Sequence, residues 1–224
     1  MIYLNAALSQ HHAPEQLPTA VRAALGKPLR RATALTQLAL IGALACLPKA
    51  HRHLPTMLLW QSTRGPRLET LALLNEVCQG GAEPMPYDFL ATQPAIAAAQ
   101  IQPFLHGLQA AMHLPLEREG HAHWSLLLTL ASNWLAEGRY AQVLCAHLDA
   151  RAEQVDGHWL ALAGEPIENP LARLQLNPTD SPDALPDTPD FPTHLSDWLR
   201  QAAGHTRHLQ SSDTPRLALE FARL

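Results

Sequence analysis

The sequence has 224 residues, of which 47% are hydrophobic and 16% are charged, and its formal net charge is -4. This composition is typical of a globular protein with a sizeable core, and the negative charge argues against non-specific binding of nucleic acid. No apolar run reaches the roughly 18 residues of a membrane-spanning helix, and the N-terminus lacks the basic and apolar pattern of an export signal, so we expect no membrane insertion.

The first third of the chain alternates between apolar segments of strand length and segments of helix length. Thr33 is a candidate helix cap, and Pro48 and Pro66 suit the end of one helix and the start of the next. The predicted elements are a strand over Ile2 to Leu8, helices over Thr19 to Leu25 and Thr33 to Leu47, a buried strand over Thr56 to Ser62, and a helix from Pro66 to about Cys78, before Gly80 and Gly81.

Prolines then divide the chain. The stretch around Pro84 and Pro86 is predicted to be extended or turned, and an Ala-rich helix runs from about Pro94 toward Leu108, with a kink or break at Pro103. Trp124 to Ala136 is apolar on almost every face, which predicts a fully buried helix. The strands predicted after it are Val143 to Leu148, followed by a hairpin of Trp159 to Ala163 with Leu171 to Leu176.

The character of the sequence changes after Pro166. Residues 166–192 contain seven prolines and four aspartates (Asp180, Asp183, Asp187 and Asp190), which indicates an extended loop or linker. A short helix over Leu195 to Ala203 and a strand over Arg216 to Ala222 are predicted to follow. Strands that alternate with helices in this way indicate an α/β fold with a largely parallel sheet.

Candidate reactive side chains are few. The pairs His51-x-His53 and His121-x-His123 would suit a strand edge, but each lacks a third ligand nearby, so we expect no metal and no cofactor. Ser125 lacks the Gly-x-Ser-x-Gly pattern of a hydrolase elbow. Three widely spaced cysteines, Cys46, Cys78 and Cys145, indicate reduced thiols in a cytoplasmic protein. The basic cluster Lys27 to Arg31 is either solvated surface or a docking patch for an acidic carrier protein.

Several segments, taken in order, resemble the N-terminal half of the β-ketoacyl synthases. Residues 60–65 resemble that family's Ser-x-x-Gly turn, residues 84–89 its Ser-Pro-x-x-Phe, and residues 93–99 an Asn-Ala-containing helix start. Residues 120–138 resemble its nucleophile elbow, and the following apolar strand completes a match over roughly residues 30–176. The segment Pro-Met-Pro-Tyr-Asp-Phe-Leu-Ala-Thr-Gln-Pro, residues 84–94, resembles the small chain-length-factor-like subunit of aryl polyene pathways.

This resemblance implies a thiolase-like N-terminal half-fold over residues 1–176, with a mixed sheet and a buried central helix. Residues 177–224 would add a Pro/Asp-rich loop, a short helix and a terminal strand packed on the same domain. The family's nucleophile is a cysteine, but counting back from Gly138 the corresponding position lies on or near His121, and no cysteine lies between Cys78 and Cys145. The resemblance therefore implies no catalytic residue in this chain.

The resemblance further implies a non-catalytic, chain-length-factor-like partner of a full-length ketosynthase. The heterodimer would serve type II polyketide or aryl polyene (fatty-acid-like) biosynthesis and use acyl carrier protein, which this chain would meet only indirectly. The residues expected at the interface and acyl tunnel are Gln93, Ala98, Gln102 and Leu105, three of which helical spacing would place on one face. Two alternatives stay open: a small acyl-thioester hydrolase or acyltransferase using His121 or His123, and a homodimeric scaffold protein.

Overall fold

The computed structural model describes residues 1–79, 83–176, 184–201, 204–210 and 218–224. Over these residues the chain forms a mixed eight-stranded sheet with helices on both faces. The strands are β1 (Ile2–His12), β2 (Thr56–Ser62), β3 (Leu108–Pro115), β4 (Gln142–Ala150), β5 (Val155–Ala163), β6 (Ala172–Leu176), β7 (Thr206–Gln210) and β8 (Ala218–Arg223). The helices are α1 (Leu17–Leu25), α2 (Ala34–Cys46), α3 (Arg67–Gln79), α4 (Pro86–Ala91), α5 (Ala95–Ile101), α6 (Trp124–Ala136) and α7 (Phe191–Arg200).

The strand order is β3-β2-β4-β5-β1-β6-β8-β7, and only the two pairings of β2, with β3 and with β4, are parallel. The mixed sheet is confirmed, whereas the prediction of a largely parallel sheet is wrong. The short turn over residues 151–154 forces β4 and β5 to run antiparallel, because parallel neighbours need a long crossover. The predicted hairpin of β5 with β6 is also wrong, since β1 lies between these two strands.

Several predicted boundaries are confirmed. Strand β2 and helix α6 occupy the predicted residues. The side chain of Thr33 caps α2 by accepting a hydrogen bond from the Thr36 N–H at 3.1 Å. Helix α5 ends at Ile101, so Pro103 breaks the Ala-rich segment instead of kinking it.

Other boundaries differ because pairing partners distant in sequence decide them. Strand β1 continues to His12, since its polar end pairs with β5. Residues 108–115 form a strand that pairs with β2, where the sequence predicted only a helix end, and residues 86–91 are helical instead of extended. The C-terminal helix is Phe191–Arg200, and part of each C-terminal prediction, at Ala203 and at Arg216, lies outside the described residues.

The sheet separates two apolar cores. On one face α2 is packed beneath α1 and α5 and is the most completely buried helix, so it is the buried central helix of the fold. It approaches β5 closely at Gly42, where a β-carbon would lie 2.2 Å from the Trp159 ring. On the other face lie α6 and α7. The predicted full burial of α6 is wrong, because α6 covers the sheet from outside and leaves Leu126 38% exposed.

Helices α3 and α4 pack on each other but bury little against the sheet. No residue of α3 is buried. We name this pair of helices, with the residue before α4, the apolar arm, because large hydrophobic side chains lie exposed along it. They are Leu71, Leu74, Val77, Met85, Phe89 and Leu90. Among the described helices, none combines the length and apolar character needed to cross a bilayer.

Candidate functional site

Strands β2, β3 and β4 are parallel, so their carboxyl ends meet at one edge of the sheet, where α/β proteins commonly bind ligands. Near this edge, on the face covered by α6 and α7, a line of polar side chains crosses four strands in register. Gln61 lies opposite His147, His147 opposite His158, and His158 opposite Ser9. We name these four residues the polar row. Gln61, His147 and His158 are only 0%, 2% and 4% exposed.

Hydrogen bonds from neighbouring elements hold one end of the polar row. Ser9 Oγ lies 2.9 Å from His158 Nδ1 and 2.7 Å from Thr193 Oγ1 of α7. Burial lowers the pKa of His158 to about 4, and the charges of His147 and His11 act in the same direction. His158 is therefore neutral at pH 7.

Asp149, two residues beyond His147 on β4, fixes the turn that follows β2. Its Oδ1 accepts hydrogen bonds from the Thr63 and Arg64 N–H groups at 3.0 Å each, and its Oδ2 lies 3.3 Å from His147 Nε2. Burial alone would raise the pKa of Asp149, but His147 and the two N–H groups hold it below its ordinary value. The carboxylate therefore stays charged and joins the ends of β2 and β4.

The resemblance places the family's nucleophile near the N-terminus of α6. In this chain the carboxylate of Asp187 binds the first backbone N–H groups of that helix. Asp187 accepts hydrogen bonds from the Trp124 N–H at 2.8 Å, the Ser125 N–H at 3.2 Å and Ser125 Oγ at 2.6 Å. Burial raises the pKa of Asp187, while these three bonds oppose the rise. Gln61 adds a contact at the same point, because its Oε1 accepts from the His123 N–H at 2.8 Å. Ser125 is only 1% exposed, so its hydroxyl is closed off from any substrate.

The two histidines predicted near this point lie outside the polar row. His121 is exposed in the loop three residues before α6, and His123 occupies the N-cap position. Both line an open cleft of about 400 Å³ together with residues 115–118. Neither His121-x-His123 nor His51-x-His53 is on a strand, so the expected strand-edge geometry is wrong. Within the described ranges, no three histidine, cysteine or acidic side chains come together as metal ligands.

The four residues predicted at the interface separate in the structure. Ala98 and Gln102 line a shallow groove of about 240 Å³ between α5 and β3. Leu105 is fully buried in the core that α2 shares, and Gln93 is exposed just before α5. The predicted common helical face is wrong because α5 ends at Ile101, before Gln102 and Leu105.

Beside this groove, β3 is an edge strand that pairs only with β2 in the described part of the chain. It carries no lysine, arginine, aspartate or glutamate, and burial lowers the pKa of its one histidine, His113. Met112 on the same strand is 43% exposed. Protein sheets usually protect their edges with charges, prolines or a covering segment. Helix α4 of the apolar arm contacts α5, the helix that lines this groove, because Gln100 of α5 donates a 3.3 Å hydrogen bond to the Tyr87 hydroxyl of α4.

No protein-family profile matches the sequence, and no curated protein matches it either. Solved structures do match. A chain in the complex of the ketosynthase ApeO with its chain length factor ApeC from Xenorhabdus doucetiae is 13% identical, with a TM-score of 0.59 over 99% of each chain. The ishigamide ketosynthase/chain length factor is also 13% identical, with a TM-score of 0.54 over 81% of this chain and 68% of that chain.

These likenesses define the class of fold: the chain has the thiolase-like fold of the ketosynthases. The predicted ketosynthase-like fold is thereby confirmed. More particularly, both matched structures are assemblies of a ketosynthase with a chain length factor, and the first is matched along nearly its whole length.

Proposed function

We propose that this chain is a non-catalytic, chain-length-factor-like subunit that forms a heterodimer with a full-length ketosynthase in type II polyketide or aryl polyene biosynthesis in the cytoplasm. One observation carries the proposal: the apolar arm and the uncharged edge of β3 form an uncovered surface on a chain with the ketosynthase fold. Exposed apolar surface of this extent is typical of an interface.

A non-catalytic role is supported by the chemistry at α6. Condensation by a ketosynthase needs a thiolate to hold the growing acyl chain. The first turn of α6 contains no cysteine, and Asp187 takes up its N–H groups. Burial raises the pKa of the Cys145 thiol above its ordinary value and that of Cys46 to about 12, so both are inert.

The free energy available from burying the apolar arm supports a partner that covers the whole arm. Fully burying one large apolar side chain contributes about 1.5–3 kcal/mol. The six side chains of the apolar arm are each 46–60% exposed, so a partner that covers them would gain about half of that at each. An added partner strand would also satisfy the open backbone groups of β3. We infer that the heterodimer interface contains the apolar arm and this edge.

The groove between α5 and β3 is our candidate for the part of the acyl tunnel that this subunit shapes. Its lining is mostly alanine, including Ala98, Ala99, Ala110 and Ala111, which leaves room for a flat chain. Gln102 and Gln109 supply the polar side chains there. In this proposal Leu105 supports the groove from the core, and Gln93 contacts the partner.

The proposal is tested by co-expression with the ketosynthase encoded nearest to its gene, followed by size-exclusion chromatography with light scattering. We expect a 1:1 complex that is lost in the double variant Leu74→Asp/Phe89→Asp. Leu126→Asp, an exposed position on α6, is the matched control and should leave the complex intact. Separate elution of a folded chain would refute the proposal.

The same samples distinguish the alternatives. A stable homodimer that the arm variant dissociates would favour the scaffold protein. Thioesterase activity abolished by His121→Ala would favour the hydrolase. For the tunnel, Ala98→Phe should shorten the polyene product of the complex, whereas Ala95→Phe, which lies outside the groove, should not; equal products from both variants would reject the groove.

A further inference from the structure

Positive charge is concentrated in one part of the sequence. Between Glu15 and Glu69 there is no acidic residue, yet this stretch holds eight of the 16 lysines and arginines. Counting histidine as neutral, residues 16–68 therefore carry +8 and the rest of the chain -12. A protein with a net charge of -4 thus presents a strongly basic segment.

Half of these eight basic residues, all of them exposed, cluster around the turn between α1 and α2. Gly26, in the left-handed conformation (φ 72°), ends α1 and turns the chain. Four exposed basic residues flank it. They are Arg22, Lys27, Arg30 and Arg31, which we name the basic loop. In the described structure none of them forms an ion pair, and the one ring contact is Lys27 Nζ, 5.3 Å from the centre of the Phe104 ring.

Of the other four basic residues of the stretch, Lys49 and Arg67 are exposed at separate points of the sequence, and two are already used internally. Arg52 donates to the Leu44 and Leu47 carbonyls at 2.8 and 3.1 Å, which caps the C-terminus of α2, and Arg64 pairs with Glu119. The basic loop is different, because its charges face solvent. Its backbone is held in place: the Arg31 carbonyl accepts a hydrogen bond from Gln100 of α5 at 3.3 Å. The loop therefore adjoins the groove-lining helix.

The size of the patch indicates the kind of partner. A long polyanion such as DNA, or an anionic membrane, would extend beyond four side chains and meet the negative remainder of the chain. A compact acidic protein can contact the basic loop alone. The neighbouring Leu25 and Leu29 are half-buried, so the loop offers no exposed large apolar side chain for insertion into lipid.

We propose that the basic loop docks a small acidic protein. If the proposed function holds, on which this assignment rests, that protein is the acyl carrier protein of the synthase. Carboxylates of the carrier would pair with the guanidinium groups of Arg30 and Arg31, which suit bidentate contacts. This chain would then contact the carrier directly, beside α5, and not only through its ketosynthase.

The test measures binding of fluorescently labelled holo-acyl carrier protein from the same gene cluster to the purified chain at 50 and 300 mM salt. We expect Arg30→Glu/Arg31→Glu to weaken binding at least tenfold at low salt. The control Lys49→Glu/Arg151→Glu changes the net charge equally at exposed sites outside the loop and should weaken it less than threefold. Binding by the unaltered chain should fall steeply between the two salt concentrations.

Equal weakening in both double variants would show that only net charge matters and would overturn the assignment. Absence of carrier binding, or stronger binding to vesicles containing 30% phosphatidylserine, would overturn it as well. Complex formation with the ketosynthase is measured separately for the same variants. An intact heterodimer without carrier binding rejects the docking site alone, whereas carrier binding without a heterodimer rejects the proposed function and leaves a basic docking surface.

Discussion

Acidification should destabilise this protein through one buried histidine of the polar row. The pKa of His158 is about 4 in the folded chain against an ordinary value of 6.5, because burial disfavours its charge. Between these two pH values the unfolded chain therefore binds one more proton at this residue than the folded chain does. The free energy of unfolding has its full value above pH 6.5 and falls as the pH drops toward 4. At 1.36 kcal/mol per pH unit, the loss from His158 is about 2 kcal/mol at pH 5 and about 3 kcal/mol by pH 4.

The assay is urea unfolding followed by tryptophan fluorescence at pH 7.5 and pH 5. His158→Asn keeps an acceptor for the Ser9 hydroxyl but removes the titrating ring, so the pH-dependent loss should shrink by about 2 kcal/mol. His106→Asn, at an exposed histidine, is the control and should retain the full dependence. Asp149 does not interfere, because its pKa is held below its ordinary value and its contribution is lost only under more acidic conditions. An equal loss in His158→Asn and the parent protein would refute the reasoning.

Three further substitutions test the packing and the caps. Gly42→Ala should cost about 1–3 kcal/mol in urea unfolding, because the new methyl group meets the Trp159 ring, and Trp159→Leu should remove most of this cost. Asp187→Ala should cost about 2 kcal/mol, and a double-mutant cycle with Ser125→Ala should show coupling; strict additivity would argue against the 2.6 Å bond. Thr33→Ala should lower the unfolding free energy by about 1 kcal/mol, and Thr33→Ser should restore it.

The sequence predicted an element correctly where residues close to it in the sequence decide its structure. The apolar run of β2 and the bounded apolar stretch of α6 gave correct ends, and the cap at Thr33 was identified from its residue type. Strand β3 was missed because its Gln, Ala and His residues have weak strand preference and follow an Ala-rich helix. It becomes a strand by pairing with β2, a contact that the local sequence does not contain.

Most of the candidate site could not be predicted either, because it also depends on contacts between residues distant in the sequence. His147 and Asp149 lie two residues apart on β4 and therefore share one face of a buried strand, a pattern that the sequence does contain. Their alignment with Gln61, His158 and Ser9 depends on the register of four strands. Asp187 lies in a proline-rich segment that predicts only a loop, and nothing in its sequence indicates that it reaches the first turn of α6.

The position of β1 has a consequence for synthesis on the ribosome. This strand is made before the other seven, yet it pairs with β5 on one side and β6 on the other, so that Tyr3 aligns with both Ala163 and Arg173. A nascent chain must therefore carry β1 unpaired until β5 and β6 have emerged, and such distant pairing makes folding slow. During that interval both unpaired edges of β1 are available to any other chain, so expression at low temperature or with chaperones should raise the yield of folded protein.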